Sequence, residues 1–252
     1  YFMPLFFYFY IMKEIKYTLI ALFSIFLIIA CSGDTDDDAD QIPEFDRSTI
    51  LNNYVSNIII PRYGDFKVAL DGLKIAVDDF TQTPNTGNLQ KLHDDWLESY
   101  KKWQHIEMFN IGKAEELMYL QKMNAYPADN SRIEANVSTE KTDINSPNDF
   151  TSQGFPAIDY LIHGVATDFE SVSNVYSNDS KYGNYLKVLV DVMVKNTNDI
   201  IQDWSSTKDS FIQSSGNSNT SSLNMITNDF VYYFEKGLRA NKIGIPAGRY
   251  SG

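Results

Sequence analysis

Along most of this chain, apolar residues recur at intervals of three and four. No segment sustains the period-two alternation of a half-buried strand. The first periodic region opens at Ser48, a residue type that caps helices. It runs through Ile50, Leu51, Tyr54, Val55, Ile58 and Ile59. Pro61 lacks an N–H and is expected to kink or interrupt this helix. The pattern resumes with Tyr63, Phe66, Leu70, Leu73, Val77 and Phe80, and Thr83-Pro84-Asn85-Thr86-Gly87 then signals a turn. A second helix carries Leu89, Leu92, Trp96, Tyr100 and Trp103, with Asp94, Asp95, Glu98, Lys101 and Lys102 on its polar side. Its two tryptophans share one face and are expected in the core. Gly112 marks its stop.

Residues 113–153 are less periodic. Ala114 to Met123 reads as a short helix, which Tyr126-Pro127-Ala128-Asp129 breaks. Ser131 to Asn148 is polar and reads as loop with short turns, of a length often associated with function. Gly154 to Gly164 is an apolar segment bounded by glycines. Pro156 lies near its start, where a helix tolerates the missing N–H. Val165 to Asp179 reads as a further loop. A helix carrying Tyr185, Leu189, Val192, Met193, Ile200, Ile201 and Trp204 follows. Lys208 to Ser222, rich in Ser and Asn, reads as linker. The last helix carries Leu223, Ile226, Phe230, Phe234 and Leu238 and is expected to end near Asn241. The predicted fold class is all-α: helical bundles joined by long loops.

The N-terminal region follows a different logic. Lys13 and Lys16 precede an apolar run from Tyr17 to Ala30. That run is shorter than the ~20 residues a membrane-crossing helix needs, so residues 1–30 read as a signal peptide. Met12 is a candidate natural start, which sets residues 1–11 apart as upstream sequence. Ile28-Ile29-Ala30-Cys31 resembles a bacterial lipobox, with Cys31 as the lipidated residue; the rival reading is an uncleaved anchor with an incidental cysteine. Residues 31–45 carry an acidic run too polar to bury a core and are expected to form a linker. Ser32 after the cysteine looks like outer-membrane sorting, and the acidic run resembles the surface-export signals of Bacteroidetes lipoproteins. The expected location is the cell envelope, as an outer-membrane lipoprotein facing the periplasm or the exterior. The folded domain is assigned to residues 46–252.

A net charge of −12 argues against a nucleic-acid partner, which requires clustered basic charge. The single cysteine excludes an intramolecular disulfide and thiolate metal clusters. There is no His-Glu-x-x-His, no Gly-x-Ser-x-Gly and no phosphate-cradling glycine loop.

Ile60-Pro61-Arg62-Tyr63, Trp96 through Gly112, Gly154-Phe155-Pro156-Ala157-Ile158-Asp159-Tyr160-Leu161-Ile162-His163-Gly164, and the closing stretch from Phe230 to Gly248 together resemble the imelysin family. The resemblance implies two helical-bundle halves with a site between them, export, and a link to iron uptake. Family members usually continue further, so it also implies an incomplete second half with uncovered apolar faces.

The family's signature is Gly-x-His-x-x-Glu. Here Gly154 matches the glycine, Pro156 stands at the histidine position and Asp159 at the glutamate position. Proline has no ligating atom, which weakens the metallopeptidase activity the resemblance implies. Asp159 and His163, four apart, can share a helix face and grip iron or another divalent metal. In the other reading Asp159 caps or forms an ion pair, and His163 sits at the helix end. His105 and Glu107, two apart, point away from each other, as do His93 and Asp94. Glu115, Glu116, Asp129, Glu134 and Asp159 are candidates for an oxygen-rich pocket suited to a hard cation, with Arg132, Arg239 and Lys242 to neutralise them or bind an anion.

Three functions stay open. One is a non-catalytic binding component of iron uptake, partnered by a metal ion or envelope uptake proteins. The second is a metallopeptidase using Asp159 and His163. The third is a surface interaction protein without metal.

Overall fold

The computed structural model describes residues 46–249. The signal peptide, the lipobox at Cys31 and the acidic linker lie outside the described residues. Within them every regular element is helical, as the three-and-four spacing predicts.

Helix α1 (Arg47–Asn53) is capped by Asp46 rather than by Ser48: the aspartate side chain accepts the N–H groups of Ser48, at 2.9 Å, and Thr49. Pro61 does not break the helix that follows. The chain widens into a π-helical turn (Tyr54–Ile59) in which the N–H of Ile60 reaches back five residues to the carbonyl of Val55. Helix α2 (Ile60–Gln82) then starts with Pro61 in its first turn, where its missing N–H costs little. The expected interruption is thus absorbed as a change of helical register.

Asn85 caps α3 (Thr86–Trp103), accepting the N–H of Asn88 at 2.9 Å. Helix α2 packs against α3 on one side and against the long α9 (Ser180–Gln213) on the other. Its buried stripe of Tyr63, Phe66, Leu70, Leu73, Val77 and Phe80 is the centre of the core. One hydrophobic cluster runs through the described residues, without a seam between the two halves that the resemblance implies. Trp103 is buried in it, whereas Trp96, expected beside it, is only half-buried.

After Gly112 come α4 (Lys113–Glu116) and α5 (Tyr119–Asn124). Two stretches read as loops are helices. Helix α6 (Asn130–Ser138) is capped by Asp129, which accepts the N–H of Arg132, and it buries Ile133 and Val137. A 3-10 turn (Pro147–Ser152) leads into α7 (Gly154–Asp159), which continues as a π-helical turn (Tyr160–Gly164). Helix α8 (Phe169–Asn178) is capped by Asp168 and buries Val172 and Tyr176. In both cases a capping aspartate and two apolar residues a turn apart suffice against an existing core. Helix α9 runs through Lys208 to Gln213, so the linker is shorter than its composition predicts.

The last helix, α10 (Ser222–Tyr232), widens into a π-helical segment (Tyr233–Gly244) and so passes Asn241. The wider turn departs from the predicted spacing: Phe234, placed by that spacing on the apolar face, lies exposed. No described helix is long and apolar enough to cross a membrane.

Candidate functional site

The site is built around the 154–164 segment. Gly154 has φ of +73°, and a Cβ there would lie 2.2 Å from the carbonyl oxygen of Met123 and 2.5 Å from that of Lys122. Glycine is therefore required where α7 starts against the end of α5. Phe155, the next residue, is buried between Tyr100 (ring centroids 5.1 Å apart) and Phe66 (6.3 Å). Its carbonyl accepts the indole N–H of Trp96 at 3.2 Å. Trp96 in turn stacks on Tyr100 at 5.6 Å.

Pro156, Asp159, Tyr160 and His163 of the same segment form one wall of a cavity of about 790 Å³. Asp229, Tyr232, Tyr233 and Lys242 line it from the last helix. Asp159 Oδ1 lies 2.8 Å from His163 Nδ1, and His163 Nε2 lies 2.8 Å from His93 Nδ1 of α3. Both ring nitrogens of His163 are thus engaged. Asp159 and His163 share one helix face and bond each other.

Glu107 forms the deepest polar group of the cavity wall. Its side chain is 2% exposed. The Tyr233 hydroxyl donates to its Oε1 at 2.7 Å, and Lys242 pairs with the same oxygen. Lys242 also donates to Gln104 Oε1 and, at 3.2 Å, to the Tyr233 oxygen. Burial first, and then the bond to Glu107, push the Tyr233 phenol above its usual range. Glu107 Oε2 is buried with no partner, as is Asn110 Oδ1.

Asp229 accepts the backbone N–H of Asn110 at 2.8 Å, and burial raises its carboxyl to about 6 from 3.8. The folded state therefore holds this proton more tightly than the unfolded chain does. Its stabilising share is present below about pH 4 and lost as pH rises through about 6. Asp229→Asn keeps an acceptor without the charge. It should add about 1 kcal/mol at pH 7.5 after discounting for partial exposure, and almost nothing at pH 4. Urea unfolding at the two pH values measures this; an equal gain at both would refute the assignment.

Pro156, Asp159 and His163 are brought together on the cavity wall, with Gly154 holding their helix in place. Glu116, Asp129, Arg132, Glu134 and Arg239 do not line the cavity. Glu116 pairs with Lys113 at 2.7 Å. Asp129 caps α6 and lies 3.9 Å from Arg132. Glu134 accepts the phenols of Tyr160 and Tyr182, each at 2.7 Å. Arg239 pairs with Glu235. Local partners thus engage all five. The sequence reading missed His93, Glu107 and Asp229 as site residues. His105 and Glu107 lie in turns past the end of α3 and not on a helix; His105 is exposed and Glu107 buried.

A metal ion does not fit the residues at the degenerate motif. Pro156 offers no donor atom, which leaves Asp159 and His163, already bonded to each other at 2.8 Å, as the motif's two donors, too few to hold an ion. Among the described residues no three His, Cys, Asp or Glu side chains are grouped to hold one ion.

The described residues define an all-helical bundle protein. The imelysin-like protein of Psychrobacter arcticus, known from a crystal structure, superposes with a TM-score of 0.65 and 22% identity, over 80% of this chain and 63% of that one. A candidate iron-regulated protein A precursor from Parabacteroides distasonis superposes with a TM-score of 0.53 and 17% identity, over 75% of this chain and 50% of that one. The sequence profile of the imelysin family, peptidase family M75, matches residues 59–251, and the chain belongs to that family. Iron-regulated protein A of Synechococcus elongatus is 21% identical over 112 residues, 44% of this chain. The matched stretch spans 30% of that relative's length.

Proposed function

We propose that this chain is a lipid-anchored protein of the cell envelope that binds a small ligand in the cavity, in the setting of iron uptake, and does not cleave peptides. The names of two relatives, Iron-regulated protein A and an iron-regulated protein A precursor, support the iron setting. The observation that carries the binding role is the motif wall: Pro156 occupies the histidine position, and both nitrogens of His163 are engaged by Asp159 and His93. Proline carries no lone pair for a metal or a proton at that position. The full chain, incubated with peptide substrates and iron(II) or zinc(II), should show no cleavage that a chelator abolishes. Chelator-sensitive cleavage lost in Asp159→Ala would overturn this reading and favour the metallopeptidase.

The anchor rests on Lys13, Lys16, the apolar run and Cys31. Expressed in a bacterial host, Cys31→Ala should abolish labelling by radioactive palmitate and move the chain from the membrane fraction to the soluble one. Undiminished labelling would remove Cys31 as the lipid acceptor. The outer membrane, facing the periplasm or the exterior, and envelope uptake proteins as partners belong to the same proposal.

A further inference from the structure

The two most exposed aromatic side chains among the described residues are Tyr126, 82% exposed, and Tyr232, 59% exposed. Both line the cavity, Tyr126 from the connection between α5 and α6 and Tyr232 from the end of α10. A single exposed ring on a protein surface is ordinary, but two at one cavity give a ligand apolar faces to lie on.

The charged groups of the same wall are already engaged. Lys242 pairs with Glu107, and His163 bonds Asp159. Asp229 accepts a backbone N–H and is held toward its neutral form by burial. Lys236 is exposed, where water screens a lone charge. An ionic ligand therefore finds no buried counter-charge waiting for it, and a neutral ligand fits better. Neutral hydrogen-bonding groups are open to such a ligand. Asn130 and Asn241 line the cavity and are exposed. Each amide offers two N–H donors and a carbonyl acceptor in one plane. Neighbouring hydroxyls on a ring, each both donor and acceptor, match that plane edge to edge. A molecule with a rim of hydroxyls and apolar C–H faces is a pyranose sugar, and about 790 Å³ lies within the range of small-molecule pockets.

We propose that the cavity binds a neutral carbohydrate, its pyranose faces against the rings of Tyr126 and Tyr232 and its hydroxyls bonded to the amides of Asn130 and Asn241. This rests on the reading of the cavity as a ligand site.

The test is saturation-transfer nuclear magnetic resonance on the full chain with cellobiose, lactose and maltose, neutral disaccharides that differ in linkage and stereochemistry. At least one should bind with a millimolar or tighter Kd, and saturation should be strongest on its ring C–H protons. Sorbitol, which has the hydroxyls without the ring, and benzyl alcohol, which has a ring without the hydroxyl rim, should each bind at least about tenfold more weakly. Tyr126→Ala and Tyr232→Ala should each weaken the sugar about tenfold, and Tyr126→Phe and Tyr232→Phe should retain it. Asn241→Ala should weaken it by about three- to tenfold. These side chains are exposed, so the variants keep the core intact, which circular dichroism checks. No millimolar binding of any of the three sugars, equal binding of sorbitol, or an affinity unchanged in both tyrosine-to-alanine variants overturns the proposal. Benzyl alcohol bound in place of the sugars, and lost in Tyr232→Ala, would overturn the carbohydrate and leave the cavity a ligand site. Chelator-sensitive peptide cleavage by a chain that binds the sugar would sink only the non-catalytic role.

Discussion

Gly154→Ala should destabilise the chain by about 4 kcal/mol or more, enough to unfold much of a domain whose whole stability is on the order of 5–15 kcal/mol. Two costs add. A residue with a Cβ at φ of +73° bears roughly 1 kcal/mol or more of backbone strain. The larger cost is overlap: the new Cβ would sit 2.2 Å from the Met123 carbonyl oxygen and 2.5 Å from that of Lys122. These are backbone atoms at the end of α5, so no rotamer change relieves the clash. Helix α7 would have to withdraw, and with it the buried Phe155, Ile158 and Ile162. The wall that presents Pro156, Asp159 and His163 would move with them. Urea unfolding followed by circular dichroism measures the loss; a variant within about 1 kcal/mol of the unaltered chain would show that α5 and α7 do not need this approach.

The same glycine shows how much of the molecule is legible in the sequence. Its place at the head of the 154–164 segment is visible, but its necessity comes from Met123, which no local pattern connects to it. The long helices were legible because each buries a full stripe at regular spacing. Helices α6 and α8 were not: each has two buried apolar residues one turn apart, Ile133 with Val137 and Val172 with Tyr176, too few to stand out from polar composition. Their signal was the capping aspartates, Asp129 and Asp168, which a reading by periodicity undervalues.

The site divides the same way. Asp159 and His163 are four apart, so their pairing could be read along one helix. His93 joins them from 70 positions away, and Tyr233 reaches Glu107 across 126. Those contacts depend on how α3 and the last helix meet the 154–164 segment. The separation of Glu107 from His105 was argued on a helix that in fact ends at Trp103, and Lys242, a candidate by charge alone, has a partner in Glu107 that no local spacing indicates.

Phe155→Ala should destabilise the chain through the hole it leaves in the core. A buried phenylalanine truncated to alanine typically costs about 3–5 kcal/mol, part for lost transfer and part for the hole left behind. Phe155 is 1% exposed and packs against Tyr100, Phe66 and Trp103. With Phe155 closed off from solvent, the hole would lie inside the core, and the loss should fall within that range. Phe155→Leu, which keeps most of the volume, should cost about 1–1.5 kcal/mol. A loss below about 2 kcal/mol for the alanine variant would mean that the surrounding rings collapse into the hole.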